Sequence, residues 1–155
     1  MKIILAVIGL FFCSCDAALF FSDNMHLVDL GNKENVLRWV SENVKYDYPR
    51  YESDNKEWQM PEYTKRVQTG VCRDMALLVL SAMTNNGTPC TLVWIQKTES
   101  TGKRLSHAVN RIDGKLHDAR SNKFVDYLAD GWYIVGEYNM QQALEMISFY
   151  GSIDK

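Results

Sequence analysis

Two segments of the chain have the apolar spacing of an α-helix, and they differ in how much of their surface is apolar. In residues 32–44 the apolar side chains recur every three or four positions and form one stripe. In residues 72–86 nearly every side chain is apolar apart from Arg73 and Asp74, and Gly87 follows as a stop signal. Because a helix that is apolar on all sides is buried, the second helix is predicted to lie in the centre of the domain.

Extended segments follow the second helix. Strands are predicted at residues 90–96, 106–112, 115–119 and 132–138, and a final helix at about 140–149. Asp113-Gly114 separates two of these strands and is typical of a two-residue hairpin turn. Residues 45–63 are polar and aromatic, contain two prolines, and are predicted to form a long surface loop. Helices followed by hairpin strands predict an α+β fold, with the buried helix packed on an antiparallel sheet.

The N-terminus has the pattern of an export signal. Lys2 supplies a positive end, and residues 3–12 are an unbroken apolar run. As a helix this run covers only about 15 Å, half of the hydrocarbon layer, so a signal peptide is favoured over an uncleaved membrane anchor. We predict a signal peptide over residues 1–14, a tether over residues 15–31 and a single domain over residues 32–155.

The end of the signal leaves two modes of export open. Ser14-Cys15 resembles the bacterial lipoprotein box, in which Cys15 is lipidated and becomes the first residue of the mature chain. Cleavage after Ala17 or Ala18 is the alternative and gives a freely exported protein. The predicted location is therefore exported, either anchored to a membrane surface through Cys15 or free in the periplasm or outside the cell.

Charge and composition exclude one class of function. The 155 residues include 17 Lys and Arg against 19 Asp and Glu, for a net charge of −2, and no block of like charge occurs. A nucleic-acid binder normally carries a basic footprint, so no nucleic-acid partner is expected. We expect neither a cofactor nor a metal site, and the oligomeric state is left open.

The cysteines divide into two groups. Cys13 leaves with the signal peptide, and Cys15 is either lipidated or removed. In an exported protein the remaining pair, Cys72 and Cys90, form a structural disulfide or include a reactive thiol. The sequence leaves this choice open.

The hairpin turn fixes which residues share a face of the sheet. With a two-residue loop, Asn110 pairs with His117, so His107 and Asp118 are diagonal neighbours on one face, about 7–8 Å apart at the backbone. His117 then points to the other face. Another register would leave Asp126 as the alternative acid.

Cys72 is predicted to begin the buried helix, where the helix dipole favours a thiolate. A cysteine at a helix N-terminus, a histidine on a neighbouring strand and an acid on the next strand match the constellation of an activated nucleophile. In that constellation Cys72 attacks, His107 takes and returns the proton, and Asp118 orients His107.

Four separated segments resemble the transglutaminase-like superfamily, and most closely its bacterial cysteine peptidases. The segments are Trp58-Gln59-Met60-Pro61-Glu62, Gly70-Val71-Cys72-Arg73-Asp74, His107-Ala108-Val109, and the stretch from Asp113-Gly114-Lys115-Leu116-His117-Asp118 to Asn122. The resemblance implies a papain-like α+β core with Cys72, His107 and Asp118 as the triad. Arg73 stands where relatives often carry an acid, so their calcium binding is not carried over.

Acyl transfer also needs donors for the oxyanion. The Cys72 main-chain N–H is a natural first donor. Gln59 is predicted as the side-chain donor from its place in the Trp-Gln-x-Pro-Glu segment, with Gln68 as the alternative. Asp74 is interpreted as a first-turn charge that complements the helix dipole.

The sequence therefore predicts an exported thiol hydrolase that cleaves a peptide or other amide bond through a Cys acyl-enzyme. Acyl transfer to an amine, as in a transglutaminase, is a variant of the same chemistry. The expected partner is a peptide or protein substrate. A non-catalytic binding module, or a structural exported module in which Cys72 and Cys90 are bridged, is the alternative on the same fold.

Overall fold

A computed structural model describes residues 27–53 and 55–153. The predicted signal peptide, Cys15 and most of the predicted tether lie outside the described residues. The helices are α1 (Lys33–Asn43), α2 (Tyr48–Glu52), α3 (Pro61–Val67), α4 (Cys72–Asn85) and α5 (Met140–Tyr150). The strands are β1 (Lys45–Tyr46), β2 (Trp58–Gln59), β3 (Thr69–Gly70), β4 (Cys90–Thr98), β5 (Arg104–Ile112), β6 (Lys115–Asp118), β7 (Lys123–Phe124), β8 (Tyr133–Tyr138) and β9 (Ser152–Ile153).

A five-stranded antiparallel sheet supports the fold. Its strand order is β7-β6-β5-β4-β8, and two short parallel pairs, β1 with β3 and β2 with β9, lie outside it. Helix α4 packs against β4 and β5, and α1, α3 and α5 pack against α4. The predicted α+β class, with a buried helix on an antiparallel sheet, is confirmed.

Helix α4 is buried along nearly its whole length. Each of its side chains from Asp74 to Met83 is buried, as its apolar composition predicts. One side of the helix packs against Val36 and Val40 of α1, and the other packs against Leu92, Ala108 and α5. The first residue of α4 therefore has a fixed position relative to the sheet.

The β5–β6 hairpin has the predicted register. Asn110 pairs with His117, and Ile112 pairs with Lys115. Asp113 has a φ of 50° and Gly114 a φ of 77°, the left-handed pair that a tight two-residue turn of this kind requires. The turn therefore places His107 and Asp118 on one face of the sheet.

The prediction of a long surface loop over residues 45–63 is wrong. This segment contains β1, α2, β2 and the beginning of α3. Pro49 and Pro61 stand in the first turns of α2 and α3, where a missing N–H costs nothing. The two prolines therefore stand at the beginnings of helices, whereas in the sequence alone they indicate a loop.

The predicted tether extends too far along the chain, because its last residues belong to the domain. Val28 is fully buried in the cluster between α1 and α4, and its N–H donates to Ser81 Oγ at 2.9 Å. The domain therefore begins before residue 32. Within the described residues, no helix has both the length and the apolar character that crossing a membrane requires.

Candidate active site

Cys72 is the first residue of α4 and is only 8% exposed. It follows the β3 strand, whose Gly70 lies against α3 and α4. A Cβ on Gly70 would lie 3.0 Å from the Cβ of Asp74, so glycine allows this close approach of the chain to the helix. The tight entry into α4 places the Cys72 sulfur at the helix N-terminus, where the macrodipole favours a negative charge.

His107 and Asp118 meet on the face of the sheet that the hairpin register specifies. Their Nε2 and Oδ2 atoms are 3.4 Å apart, which is the distance of an ion pair and is long for a hydrogen bond. Catalytic contacts of this kind often tighten only when substrate is bound. Because Nε2 faces Asp118, the other ring nitrogen, Nδ1, is left for the thiol.

Cys72 and His107 lie close enough for each to shift the pKa of the other by a side-chain hydrogen bond and by charge. Burial of the sulfur acts to raise the pKa of the Cys72 thiol. The hydrogen bond and charge of His107, the Ala108 main chain and the charge of Arg73 act in the opposite direction, and the pKa lies below its usual value. The site therefore favours the thiolate.

The pKa values of His107 and Asp118 also shift in the directions that favour their charged forms. Burial acts to lower the pKa of His107, but Asp118 and Cys72 raise it to about 9. Burial acts to raise the pKa of Asp118, and His107 with two further donors holds it well below its usual range. The shifts of the three pKa values accordingly all favour the charged forms: a thiolate, an imidazolium and a carboxylate in sequence.

Tyr127 is a site residue that the sequence reasoning missed. Its hydroxyl donates to Asp118 Oδ2 at 2.7 Å, while the N–H of Arg120 donates to Oδ1 at 2.9 Å. Its ring packs edge-on against His107 and Trp132, at centroid distances of 5.6 and 5.5 Å. Tyr127 lies beyond β7, and only the return of the chain brings it to the triad, so no spacing in the sequence indicated it.

Gln59 lies buried beside the start of α4, and Gln68 does not. The Gln59 side chain is nearly inaccessible, and its Oε1 accepts from Thr64 Oγ1 at 3.2 Å. Because Oε1 accepts this hydrogen bond, the Nε2 amide group is the part of the Gln59 side chain that can donate one. Gln68 is an exposed left-handed residue with a φ of 55° that ends α3, and its carbonyl accepts from Lys45 N–H.

Asp74 has a larger role than a charge at the end of a helix. Its carboxylate is fully buried and accepts from the N–H groups of Gln59 and Val71, each at 2.9 Å, and from Arg50. It therefore joins the Gln59 strand to the first turn of α4. Arg50 and Arg73 also donate to the Glu57 carbonyl, which holds the chain that leads into this strand.

The remaining candidate residues lie away from the triad. Asp126 is exposed, and its carboxylate accepts from Ala129 N–H at 3.3 Å, so the alternative acid has no support. His117 is buried on the opposite face, with its Nε2 3.1 Å from Asn122 Oδ1.

The two described cysteines are free thiols, so Cys72 and Cys90 are not bridged. Burial raises the pKa of the Cys90 thiol to about 12, with Asn110 acting weakly in the other direction. Cys90 is therefore expected to be unreactive, in contrast to Cys72. Among the residues that the structure describes, no group of three or more His, Cys, Asp or Glu side chains could hold a metal ion.

Two cavities flank the triad. One, of about 250 Å³, is lined by His107, Tyr127 and Trp132. The other, of about 560 Å³, is lined by Trp58 and by Arg73, the residue after Cys72. Ser106 lines both cavities, so they adjoin near the start of β5.

Comparison with known proteins adds a family and a fold. The sequence profile of the transglutaminase-like domain family matches residues 28–120, which include Cys72, His107 and Asp118. UPF0252 protein MJ1282 of Methanocaldococcus jannaschii is 36% identical over 59 residues, which cover 34% of this chain and 17% of that protein.

Two solved structures match this chain at low sequence identity, and the first of them shares its fold. LapG of Legionella pneumophila superposes with a TM-score of 0.52 and 17% identity, over 69% of this chain and 62% of LapG. A candidate cysteine protease of Cytophaga hutchinsonii gives a TM-score of 0.47 and 18% identity, over 68% of this chain and 35% of that chain. The chain thus spans less than two thirds of each of these proteins. The papain-like, transglutaminase-like core that the motifs implied is the fold of this domain.

Proposed function

Because the chain belongs to the transglutaminase-like domain family, whose profile matches residues 28–120, we propose that it is a thiol hydrolase. It cleaves a peptide or other amide bond through an acyl-enzyme on Cys72. The observation that carries this proposal is the contact of Cys72 with His107, and of His107 with Asp118, at the N-terminus of a buried helix. A thiolate beside an imidazolium is the activated pair that acyl transfer requires.

The first half of the reaction uses the charged pair directly. The Cys72 sulfur attacks the carbonyl carbon of the amide, and the oxyanion accepts hydrogen bonds from the Cys72 N–H and from the Gln59 amide. His107 then donates its proton to the leaving nitrogen, and the carbon–nitrogen bond breaks. The product is a thioester on Cys72 and a free amine.

The second half regenerates the thiolate. Neutral His107 takes a proton from water, the resulting nucleophile attacks the thioester, and the acid product leaves. Asp118 holds the imidazole in orientation and stabilises its charge in both halves. Transfer to an amine instead of water would give a transglutaminase with the same residues in the same roles.

The substrate proposed is a peptide or protein. One cavity is lined by His107 and the other by Arg73, the residue after Cys72, and two adjoining cavities suit a chain whose scissile bond lies between two neighbouring residues. A non-catalytic binding module on the same fold is the alternative, and it predicts no activated thiol.

Alkylation by iodoacetamide between about pH 5 and 9 tests the proposal. We expect Cys72 to be labelled rapidly at pH 6 because its pKa is lowered by His107, and we expect His107→Ala to slow this labelling at least about tenfold. Labelling rates are read from the two cysteine peptides by mass spectrometry. Cys90 is the internal control, because its buried thiol, with a pKa of about 12, should stay unlabelled in a folded protein.

Two results would contradict the proposal. The first is labelling of Cys72 at the rate of an ordinary thiol in the wild-type protein, and the second is a rate that is the same in His107→Ala. Rapid labelling of Cys90 in the variant would instead reveal unfolding, and His107→Gln would then replace it. A binding module remains the better description after either contradicting result.

The proposed place of action is outside the cytoplasm. The support is the apolar run of residues 3–12 after Lys2, followed by Ser14-Cys15. In this proposal Cys15 carries the lipid, and the enzyme works close to a membrane surface. The mass of the N-terminal peptide of the mature protein tests it: diacylglycerol on Cys15 supports the anchor, and a mature chain that begins at Asp16 or later excludes it.

A further inference from the structure

The position of His107 assigns the two adjoining cavities to the two sides of the scissile bond. His107 must reach the leaving nitrogen to protonate it, so the leaving group lies over the cavity that His107 lines. The acyl side of the substrate then extends the other way across Cys72, towards Arg73 and Trp58. The larger cavity, of about 560 Å³, is therefore on the acyl side.

The walls of this acyl-side cavity are large and apolar or aromatic. Trp58 and Trp94, which both line it, have ring centroids 6.1 Å apart. The apolar lining consists of Trp58, Trp94, Val135, Tyr138, Met146 and Tyr150. A volume of this size surrounded by aromatic rings accommodates a bulky apolar group and gains stability by removing it from water.

The charge of the cavity has a single sign. Lys56 and Arg73 line it, and none of the described residues that line it is acidic. The Nη2 group of Arg73 donates hydrogen bonds to the Asn55 and Glu57 carbonyls. Its Nε is buried and has no hydrogen-bond partner. The chain as a whole has a net charge of −2, so this positive cavity is a local feature. Two cations and no acid around the cavity favour a carboxylate as the group that enters.

We propose that this cavity is the specificity pocket for the acyl side of the substrate, and that it selects an acyl group with a bulky apolar part and a nearby carboxylate. The inference rests on the proposed thiol hydrolase and names the chemistry of its substrate. Arg73 lies next to the nucleophile and meets the near end of the acyl group. Lys56, on the exposed segment before β2, meets the carboxylate at the outer end of the pocket.

Two matched chloromethyl ketones test the inference without a known substrate. Succinyl-phenylalanine chloromethyl ketone carries a carboxylate, and its succinamoyl analogue has the same shape with a neutral amide. In both, the Cys72 sulfur displaces chloride, so a carbon–sulfur bond forms as the carbon–chlorine bond breaks, and the acyl portion occupies the acyl side. We expect the charged probe to label Cys72 about three to ten times faster at low salt, and this preference to shrink in 1 M salt.

Charge reversal at Lys56 distinguishes recognition of the carboxylate inside the pocket from attraction by the overall charge of the protein. Lys56→Glu should abolish or reverse the preference for the charged probe. Lys115→Glu makes the same change in net charge at the far turn of the β5–β6 hairpin, outside both cavities, and should keep the preference. Equal rates for the two probes in the wild-type protein, or an unchanged preference in Lys56→Glu, would overturn the inference. Failure of both probes to label Cys72 would instead overturn the proposed function.

Discussion

Asp118→Asn is expected to lower the pKa of His107 from about 9 by at least about one unit, and to reduce amide hydrolysis by about 10²–10⁴-fold. Burial already acts to lower this pKa, and Asp118 and Cys72 supply the charges that raise it. Asparagine keeps the shape of the side chain but removes the charge and replaces one of the two acceptor oxygens by an NH2 donor. Without that charge the imidazolium is less favoured, and His107 is less firmly oriented towards the thiol.

The His107 titration is measured from its ring Cε1–H signal by NMR. Asp126→Asn is the matched control, because Asp126 is exposed and its carboxylate only accepts from a main-chain N–H in its own turn. It should leave the His107 titration unchanged. If Asp126→Asn lowered the pKa and Asp118→Asn did not, the assignment of the orienting acid would be wrong.

The same substitution has a stability consequence with a definite sign. His107 has a folded-state pKa of about 9 against an ordinary value of 6.5, so its charge stabilises the fold below about pH 6.5 and this stability is lost as the pH rises through 9. The pKa of Asp118 is lowered, so its contribution is present above about pH 4 and lost in stronger acid. The free energy of unfolding of Asp118→Asn should therefore fall furthest below that of the wild-type protein between about pH 4 and 6.5.

The local features of the sequence predicted the parts of the fold that depend on local rules. Asp113-Gly114 specified a turn, the turn specified the register, and the register placed His107 with Asp118 and away from His117. The continuous apolar surface of residues 72–86 predicted the central helix and its N-terminal Cys72 in the same way. Each conclusion needed only the period of a strand or a helix and one turn.

The features that the sequence did not reveal depend on contacts between distant segments. Asp74 reads locally as a first-turn acid, and its contacts with Gln59 and Arg50 arise only when the 45–63 segment folds over the start of α4. Tyr127 reaches Asp118 only after the chain has formed β7 and turned back. The prolines of the 45–63 segment led to a wrong prediction of a loop, because proline is compatible both with a loop and with the first turn of a helix.

Gln59 shows why the site could be predicted only in part. The resemblance placed it beside the nucleophile, and the structure buries it there, with its Oε1 on Thr64 and its main-chain N–H on Asp74. Its place in the Trp-Gln-x-Pro-Glu segment distinguishes it from Gln68, which is closer to Cys72 in sequence but ends α3 in a left-handed conformation. Distance in sequence from Cys72 therefore predicts poorly which glutamine lies beside it, because that position is set by the packing of β2 against the start of α4.

Leu78→Ala is expected to reduce the free energy of unfolding by about 2–5 kcal/mol. Leu78 is 0% exposed and packs in the cluster between α1 and α4, with Val36, Val40 and Val79. Truncation removes three carbon atoms from this cluster and leaves a cavity, because α4 is fixed on its other side by the sheet and α5 and cannot move into the space. The loss is measured by urea unfolding, as a shift of the midpoint with an unchanged slope.

Leu128→Ala is the matched control for Leu78→Ala, because it removes the same atoms from a side chain that is 48% exposed. It should change stability by no more than about 0.5 kcal/mol. Cys72 belongs to the cluster on the opposite side of α4 from Leu78, so Cys72 in folded Leu78→Ala should still be labelled by iodoacetamide at the wild-type rate. Equal losses of stability in the two leucine variants would show that α4 is not the central element of the core, and slow labelling in Leu78→Ala would show that the position of Cys72 depends on both sides of the helix.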